Sequence, residues 1–267
     1  MAALHFAPML RSVTATRYVA PLREGGSLPA IVEADDDGLY VVKFRGAGHG
    51  TLALVAELVG GEIARALGLL VPEIVFVDVD PQLAAGEPDT EIQDLLARSA
   101  GVNLALDFLP GALGFDPAAG FVPDPDLAAS VVWLDALITN VDRTPRNTNL
   151  LVWHGRLWLI DHGSSLYVHH TWRSPAEHAR RPFVQSRDHV LLPYAAPIVE
   201  ADERLAPIVT DELLAGILDA IPDPWLPPAP GLPHAAAHRA AYRTYLRRRL
   251  EAPRPFVEEA DRARLAA

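Results

Sequence analysis

Asn140-Val141-Asp142-Arg143-Thr144-Pro145-Arg146-Asn147 is a polar loop, and two residues later the chain turns apolar in Asn149-Leu150-Leu151-Val152-Trp153 and Arg156-Leu157-Trp158-Leu159-Ile160. The two apolar runs flank His154-Gly155, where glycine supplies the positive φ of a tight turn, so they read as a β-hairpin. Asp161-His162-Gly163 closes the segment. An Asp-x-Gly alone favours a turn, and Asp142 and Asn147 alone could cap their own loop. Their order is what matters: a loop carrying Asp and Asn five residues apart, closed by a hairpin that ends in a second Asp, places three hard-oxygen side chains around one point.

Upstream, the pattern is strand, turn, strand. A short stretch from Tyr18 ends in Leu22, Glu24-Gly25-Gly26-Ser27 forms a turn, and Leu28 to Glu33 and Leu39 to Phe44 flank the acidic turn Ala34 to Gly38. An antiparallel sheet is expected. Leu52 to Leu69 follows with Val55, Leu58, Val59, Ile63, Ala66 and Leu67 at helical spacing. Another stripe of this helix carries Glu57, Gly60, Gly61, Ala64 and Gly68. Each glycine costs roughly 1 kcal/mol relative to Ala, so the row predicts close approach to another element. Ile74 to Val79 reads as a strand, Glu91 to Arg98 as a short helix, and Asn103 to Leu109, before Pro110-Gly111, as a hinge. The second half turns helical over Asp126 to Thr139, Asp211 to Ala220 and His234 to Glu251, with Pro222 to Pro233 expected as an extended linker.

Composition narrows the chemistry. The chain has 267 residues, 23 Lys+Arg against 34 Asp+Glu, a formal charge of −11 and no cysteine. It is long enough to bury a real core. The acidic balance argues against nucleic-acid coating, and the missing thiol excludes disulfides, thiolate nucleophiles and Cys-based metal sites. No run is apolar enough to span a bilayer, no signal-peptide core is evident, and no period of 20–50 residues recurs. A cytoplasmic protein without membrane insertion or direct nucleic-acid contact is expected, with small molecules or proteins as partners.

Phosphoryl transfer from ATP needs a lysine on the phosphates, a carboxylate to orient it, a carboxylate near the incoming hydroxyl and oxygen ligands for magnesium. Lys43 at a strand end, Glu57 on the next helix, Asp142, Asn147 and Asp161 supply these types in order. The segment from Asn140 to Gly163 resembles the catalytic and metal-binding loops of the HipA-like kinases and, more remotely, those of the phosphatidylinositol 3- and 4-kinases. Tyr40-Val41-Val42-Lys43-Phe44 resembles the lysine strand, and Glu57 through Ile63 to Leu69 and Pro72-Glu73 the helix after it, so the similarity spans about Gly25 to Gly163.

The resemblance implies a two-lobed protein-kinase-like α+β fold, with a sheet-rich N-terminal ATP-binding lobe over 1–107 and a mainly helical C-terminal lobe over 108–267. It implies ATP and Mg2+ as cofactors and a protein Ser/Thr hydroxyl as acceptor, with a lipid or small-molecule alcohol as the alternative. By the same resemblance Asp142 is the catalytic base, Lys43 contacts the phosphates, Glu57 pairs with Lys43, and Asn147 and Asp161 hold magnesium. Gly25, Gly26 and Ser27 stand in for a glycine-rich phosphate loop, and Leu104 to Leu109, including Leu106 and Phe108, for the adenine-contacting hinge. No His-Arg precedes Asp142, and His162 replaces the Phe of Asp-Phe-Gly, so the activation-loop rules of eukaryotic-type protein kinases do not carry over.

Other classes remain open at the level of sequence. One is a nucleotide-binding regulatory module without transfer activity. Another is a dinucleotide-dependent oxidoreductase, suggested by Gly46-x-Gly48-x-Gly50 with Asp78 or Asp80, although the third glycine comes early and the acidic residue late. His234 and His238 share a helix face, as in zinc hydrolases, but Ala235 stands where the general base would be, and surface histidines are expected. Arg247-Arg248-Arg249 reads as a solvated helix end, His162, His169, His170 and His178 as mostly structural or solvated, and Trp153 and Trp158 as hairpin packing.

Overall fold

The computed structural model describes residues 10–22, 28–48 and 50–267, so the turn Gly25-Gly26-Ser27 lies outside the described residues. The sheet-rich beginning closes on itself. Strands β1 (Ser12–Pro21), β2 (Ala30–Ala34), β3 (Leu39–Lys43), β4 (Ile74–Val79) and β5 (Gly101–Asp107) form a barrel in the order β1-β2-β3-β5-β4. All neighbours are antiparallel except β1 and β4, which run parallel and complete the ring. The first strand begins six residues earlier than the sequence suggested. Its alternating exposed and buried residues are what a strand with one face toward a barrel interior requires.

Period-2 alternation explains where the lysine goes. Tyr40, Val42 and Phe44 point into the barrel with Val13, Val32, Val75, Val77 and Ala105, and helix α2 (Thr90–Arg98) adds Ile92, Leu95 and Leu96. Lys43 therefore stands on the outer face, paired across the ladder with Leu104, while Val41 pairs with Leu106. Helix α1 (Gly50–Ala66) covers that face. Its Leu54, Val55, Leu58 and Val59 join Leu104 and Leu106 in a second, larger core shared with the helical half.

Two glycines of the row have the predicted purpose, whereas Gly68 lies past the end of α1 at a φ of 79° with nothing within 4 Å of where its Cβ would be. A Cβ at Gly60 would stand 2.8 Å from the Cβ of His162 and 3.0 Å from Cδ1 of Ile138, and one at Gly61 would stand 2.5 Å from Cδ1 of Ile74. The helix can approach β4 and the loop after the hairpin only without those side chains.

At the centre of the helical half is α3 (Pro125–Ile138), capped by Asp124, whose side chain accepts from the Leu127 N–H. Every residue from Ala128 to Ile138 is buried, so this helix is enclosed on all sides. After it come the hairpin strands β7 (Leu150–Trp153) and β8 (Arg156–Leu159), joined to a short edge strand β6 (Leu113–Gly114). His154 and Gly155 both have positive φ, 48° and 70°, as a type I′ turn demands. Trp153 and Trp158 pack edge to face on the hairpin, 5.3 Å apart. Helices α4 (Pro175–Ala179), α5 (Ile198–Leu205), α6 (Asp211–Asp219), α7 (Ala235–Leu250) and α8 (Pro255–Ala266) complete the fold. No helix among the described residues is long and apolar enough to cross a membrane.

Three expectations change. The proline-rich stretch from Pro222 to Pro233 is a packed strap rather than a linker. Trp225 is buried, stacks edge to face on Phe76 at 5.7 Å, donates from Nε1 to the Val102 carbonyl (3.0 Å), and accepts from Thr51 Oγ1 at its own carbonyl (3.0 Å). His238 is buried, with its Nε2 3.0 Å from the Pro227 carbonyl, while His234 caps α7. Arg249 is also buried: it donates to the carbonyls of Leu137 (2.7 Å) and Ala136 (2.6 Å) at the end of α3 and lies over the Phe256 ring. Those carbonyls are the partnerless C-terminal groups of α3, which a cation complements well.

Candidate active site

Lys43, Glu57 and Asp161 meet although 118 residues separate the first from the last. Lys43 Nζ donates to Glu57 Oε2 at 2.6 Å and to Asp161 Oδ1 at 2.5 Å. Glu57 is fully buried, whereas the Asp161 side chain remains 40% exposed, so the cluster has one dry side and one side open to solvent. Burial alone would lower the Lys43 pKa, but Asp161 and Glu57 outweigh it and raise the value. Burial would likewise raise that of Glu57; Lys43 and then His162 reverse this and hold it at about 2. The lysine is a fixed cation and the glutamate a fixed anion across the working pH range.

His162 is the feature of this cluster that sequence reading left as structural. Its ring is buried, with Nδ1 3.5 Å from Glu57 Oε1, and it fills the space that Gly60 leaves open. Neither ring nitrogen has a hydrogen-bond partner among the described residues, nor does Glu57 Oε1. The glycine row opposite an Asp-x-Gly loop was the available signal.

Asp142 and Asn147 form the second cluster. Asn147 Nδ2 donates to Asp142 Oδ2 at 2.8 Å, and Asn149 Nδ2 reaches the same oxygen at 3.4 Å. Asn140 Oδ1 accepts from the Asp142 N–H at 3.1 Å. Asp142 Oδ1 takes no hydrogen bond among the described residues, and Asn147 is exposed. Asn149, with φ of 48°, was read only as the start of a strand; it acts instead as a second amide on Asp142.

The donor set suits a hard cation. The Asn147 amide nitrogen is spent on Asp142, which leaves its carbonyl oxygen, and Asp161 keeps Oδ2 beyond the oxygen that holds Lys43. No cluster of three or more His, Cys, Asp or Glu arranged for a metal occurs among the described residues. One carboxylate and one amide oxygen, with phosphates and water completing the shell, is the manner in which Mg2+ binds and softer metals do not.

The hinge residues divide. Leu106 shares the outer sheet face with Lys43 and packs under α1. Phe108 is half-buried, and its N–H already donates to the Leu39 carbonyl (2.9 Å), as that of Asp107 does to Glu73 (2.8 Å).

A dinucleotide site is not built here, because the glycines after β3 lead out of a closed, mostly antiparallel barrel rather than a parallel doubly wound sheet. Among solved structures, the chain is similar to the crystal structure of a Helicobacter pylori proinflammatory kinase, CtkA, at 13% identity and a TM-score of 0.53, covering 94% of this chain and 97% of that one. At that identity the likeness is one of fold. No curated protein matches. The HipA-like kinase family model matches residues 16–252 and so both clusters and the strap that packs behind them: the chain belongs to the HipA-like kinase family and is a phosphotransferase.

Proposed function

We propose that the chain is an ATP- and Mg2+-dependent kinase that transfers the γ-phosphate to a hydroxyl, with a protein serine or threonine as the acceptor. The carrying observation is the ion pair that joins Lys43 to both Glu57 and Asp161. It fixes a cation beside a half-open carboxylate, which is what the phosphates of a bound nucleotide need.

In this reading Lys43 lies against the phosphates and Glu57 keeps it there. Asn147 and Asp161 would hold Mg2+, which when bound supplies positive charge to the phosphate oxygens. Gly25-Gly26-Ser27 would cover the phosphates, and Leu106 and Phe108 would border the adenine. Because the Phe108 N–H is committed to Leu39, that residue would contribute its side chain rather than its amide. Asp142 is the base: its Oδ2 is held by two amides, and Oδ1 is left to take the proton as the hydroxyl oxygen bonds to phosphorus and ADP leaves. The lobes divide near Asp107, where β5 ends, although α1 shares its core with the helical side. A cytoplasmic location fits the composition.

The test is incubation of purified protein with radiolabelled ATP and Mg2+, alone and with cell lysate. Label is expected on protein serine or threonine and is expected to vanish in Asp142→Ala and Asp161→Ala. Label in the lipid or small-molecule fraction would change the acceptor class. ATP binding without any transfer would make the chain a regulatory module, and no binding would overturn the reading.

A further inference from the structure

Asp142 and Asp161 sit on the loops that enter and leave the β7–β8 hairpin at its open end, where the Ile160 N–H donates to the Asn149 carbonyl (3.1 Å), and one buried side chain reaches both loops. Arg143 Nη1 donates to the Asn149 carbonyl and, at 3.3 Å, to that of Ile160, the residue before Asp161. Its Nε donates to Asp135 Oδ2 at 2.5 Å. Nη2 is buried without a partner among the described residues, so Asp135 alone balances the guanidinium charge.

Asp135 is the only acid in the enclosed stretch of α3, and its carboxylate is saturated. Oδ1 accepts from Asn140 Nδ2 at 3.0 Å, and Oδ2 also faces His189 Nε2 at 2.9 Å. Asn140 in turn holds the Asp142 N–H, so the carboxylate grips the loop on both sides of the proposed base. His189 comes from the segment between α4 and α5, and its role in this contact is fixed by its other nitrogen. The Leu191 N–H donates to Nδ1 at 3.0 Å, so the proton sits on Nε2 and is donated to Asp135. Burial lowers the His189 pKa and keeps the ring neutral despite Asp135. The Val190 N–H closes the circuit on the Arg143 carbonyl at 3.1 Å.

We propose that Asp135, Arg143 and His189 form a buried positioning unit that sets Asp142 against Asp161, with His189 orienting the carboxylate through which the unit acts. The inference rests on the kinase reading, in which Asp142 is the base. Among the described residues, none of the three side chains touches the side chains of Lys43, Glu57 or Asp161; Arg143 reaches only the backbone before Asp161. The unit therefore acts chiefly on the placement of Asp142 for the transfer step rather than on nucleotide affinity.

The experiment measures ADP formation from Mg-ATP, which counts transfer to any acceptor or to water, for wild type, His189→Leu, His189→Gln and Asp142→Asn, with a melting temperature for each. His189→Leu keeps the volume and loses the donor. His189→Gln keeps a donor for Asp135 and an acceptor for Leu191. A misplacement of the order of 1 Å costs about 100-fold in rate, so kcat is expected to fall about 10- to 100-fold in His189→Leu, with KM for Mg-ATP within about threefold of wild type. His189→Gln is expected to recover most of the loss whatever its melting temperature. Wild-type kcat in His189→Leu, equal losses in Leu and Gln, or a raised KM with kcat preserved would each overturn the positioning role. Asp142→Asn separates the layers: if it turns over like wild type, the kinase reading of that residue is wrong, whereas if it is inactive and His189→Leu is not, only the positioning inference fails.

Discussion

The two halves of the site are built to opposite rules. The Lys43–Glu57–Asp161 half is a charged cluster with its glutamate fully buried, and its attraction is spent within the protein before any ligand arrives. The Asp142–Asn147 half is half-exposed, held by neutral amides, and leaves a carboxylate oxygen free. The first is a fixed electrostatic frame whose desolvation the fold must offset. The second is cheap to expose and is completed by whatever binds. Loss of the first should therefore damage stability and chemistry together, and loss of the second should damage chemistry alone.

The largest effect expected is that of Lys43→Met. It strands Glu57 as a buried, unpaired carboxylate, which costs about 3–5 kcal/mol, and it removes a cation from the phosphates, worth about 100- to 1,000-fold in turnover. Denaturant unfolding and ADP formation should both show the loss; wild-type stability would mean the frame is not carried by this pair. Next comes Asp142→Asn, expected to lose about 100- to 10,000-fold in turnover while its melting temperature stays within about 2 °C of wild type. A melting drop as large as that of Lys43→Met would erase the distinction between the halves.

Much of the open half was legible in the sequence, because its residues are local. Asp142, Asn147 and the hairpin after them lie within one short segment, and loop and turn chemistry follow from neighbours. The residues of the buried half could be named from their order, but their meeting depends on α1 lying flat against the outer face of β3 and β5. The glycine row hinted at that approach without saying what filled it, which proved to be His162. Residues that act across long separations were not legible. Asp135 was hidden among apolar neighbours in the helix expected from Asp126 to Thr139, and Trp225 in a stretch whose prolines suggested a linker. Arg249 was hidden in a basic run, where composition cannot separate a solvated guanidinium from one that caps a buried helix end.

The close approach behind the frame gives a smaller, sharper test. In Gly60→Ala the new methyl meets the Cβ of His162 at 2.8 Å, an atom that cannot yield without its backbone, and the terminal Cδ1 of the fully buried Ile138 at 3.0 Å. Overpacking of this kind costs about 1–3 kcal/mol. Because His162 backs Glu57, turnover should fall further than it does in Gly216→Ala, where the added methyl meets nothing within 4 Å. Equal turnover in the two variants would detach His162 from the frame.

Acid provides the smallest effect and the finest discrimination. Glu57 is depressed from 4.5 to about 2, so its contribution to stability is complete above pH 4.5 and is lost only as the pH falls toward 2. The frame is therefore silent between pH 7 and 5. His169 behaves differently. Burial, with His170 adding to it, lowers its pKa from 6.5 to about 3 beside Tyr242, whose hydroxyl is 3.0 Å from Nδ1. Below pH 6.5 the unfolded chain binds a proton that the folded ring refuses, so stability falls with pH from about 6.5 down to 3, at up to ~1.4 kcal/mol per pH unit. His189, also held neutral by burial, contributes in the same direction. Unfolding midpoints measured from pH 7 to 5 should slope downward in wild type and equally in Glu57→Gln, which removes the frame's buried carboxylate, and should become shallower in His169→Gln. A slope that vanished in Glu57→Gln would place the titrating group in the frame and refute the claim that its charges are fixed.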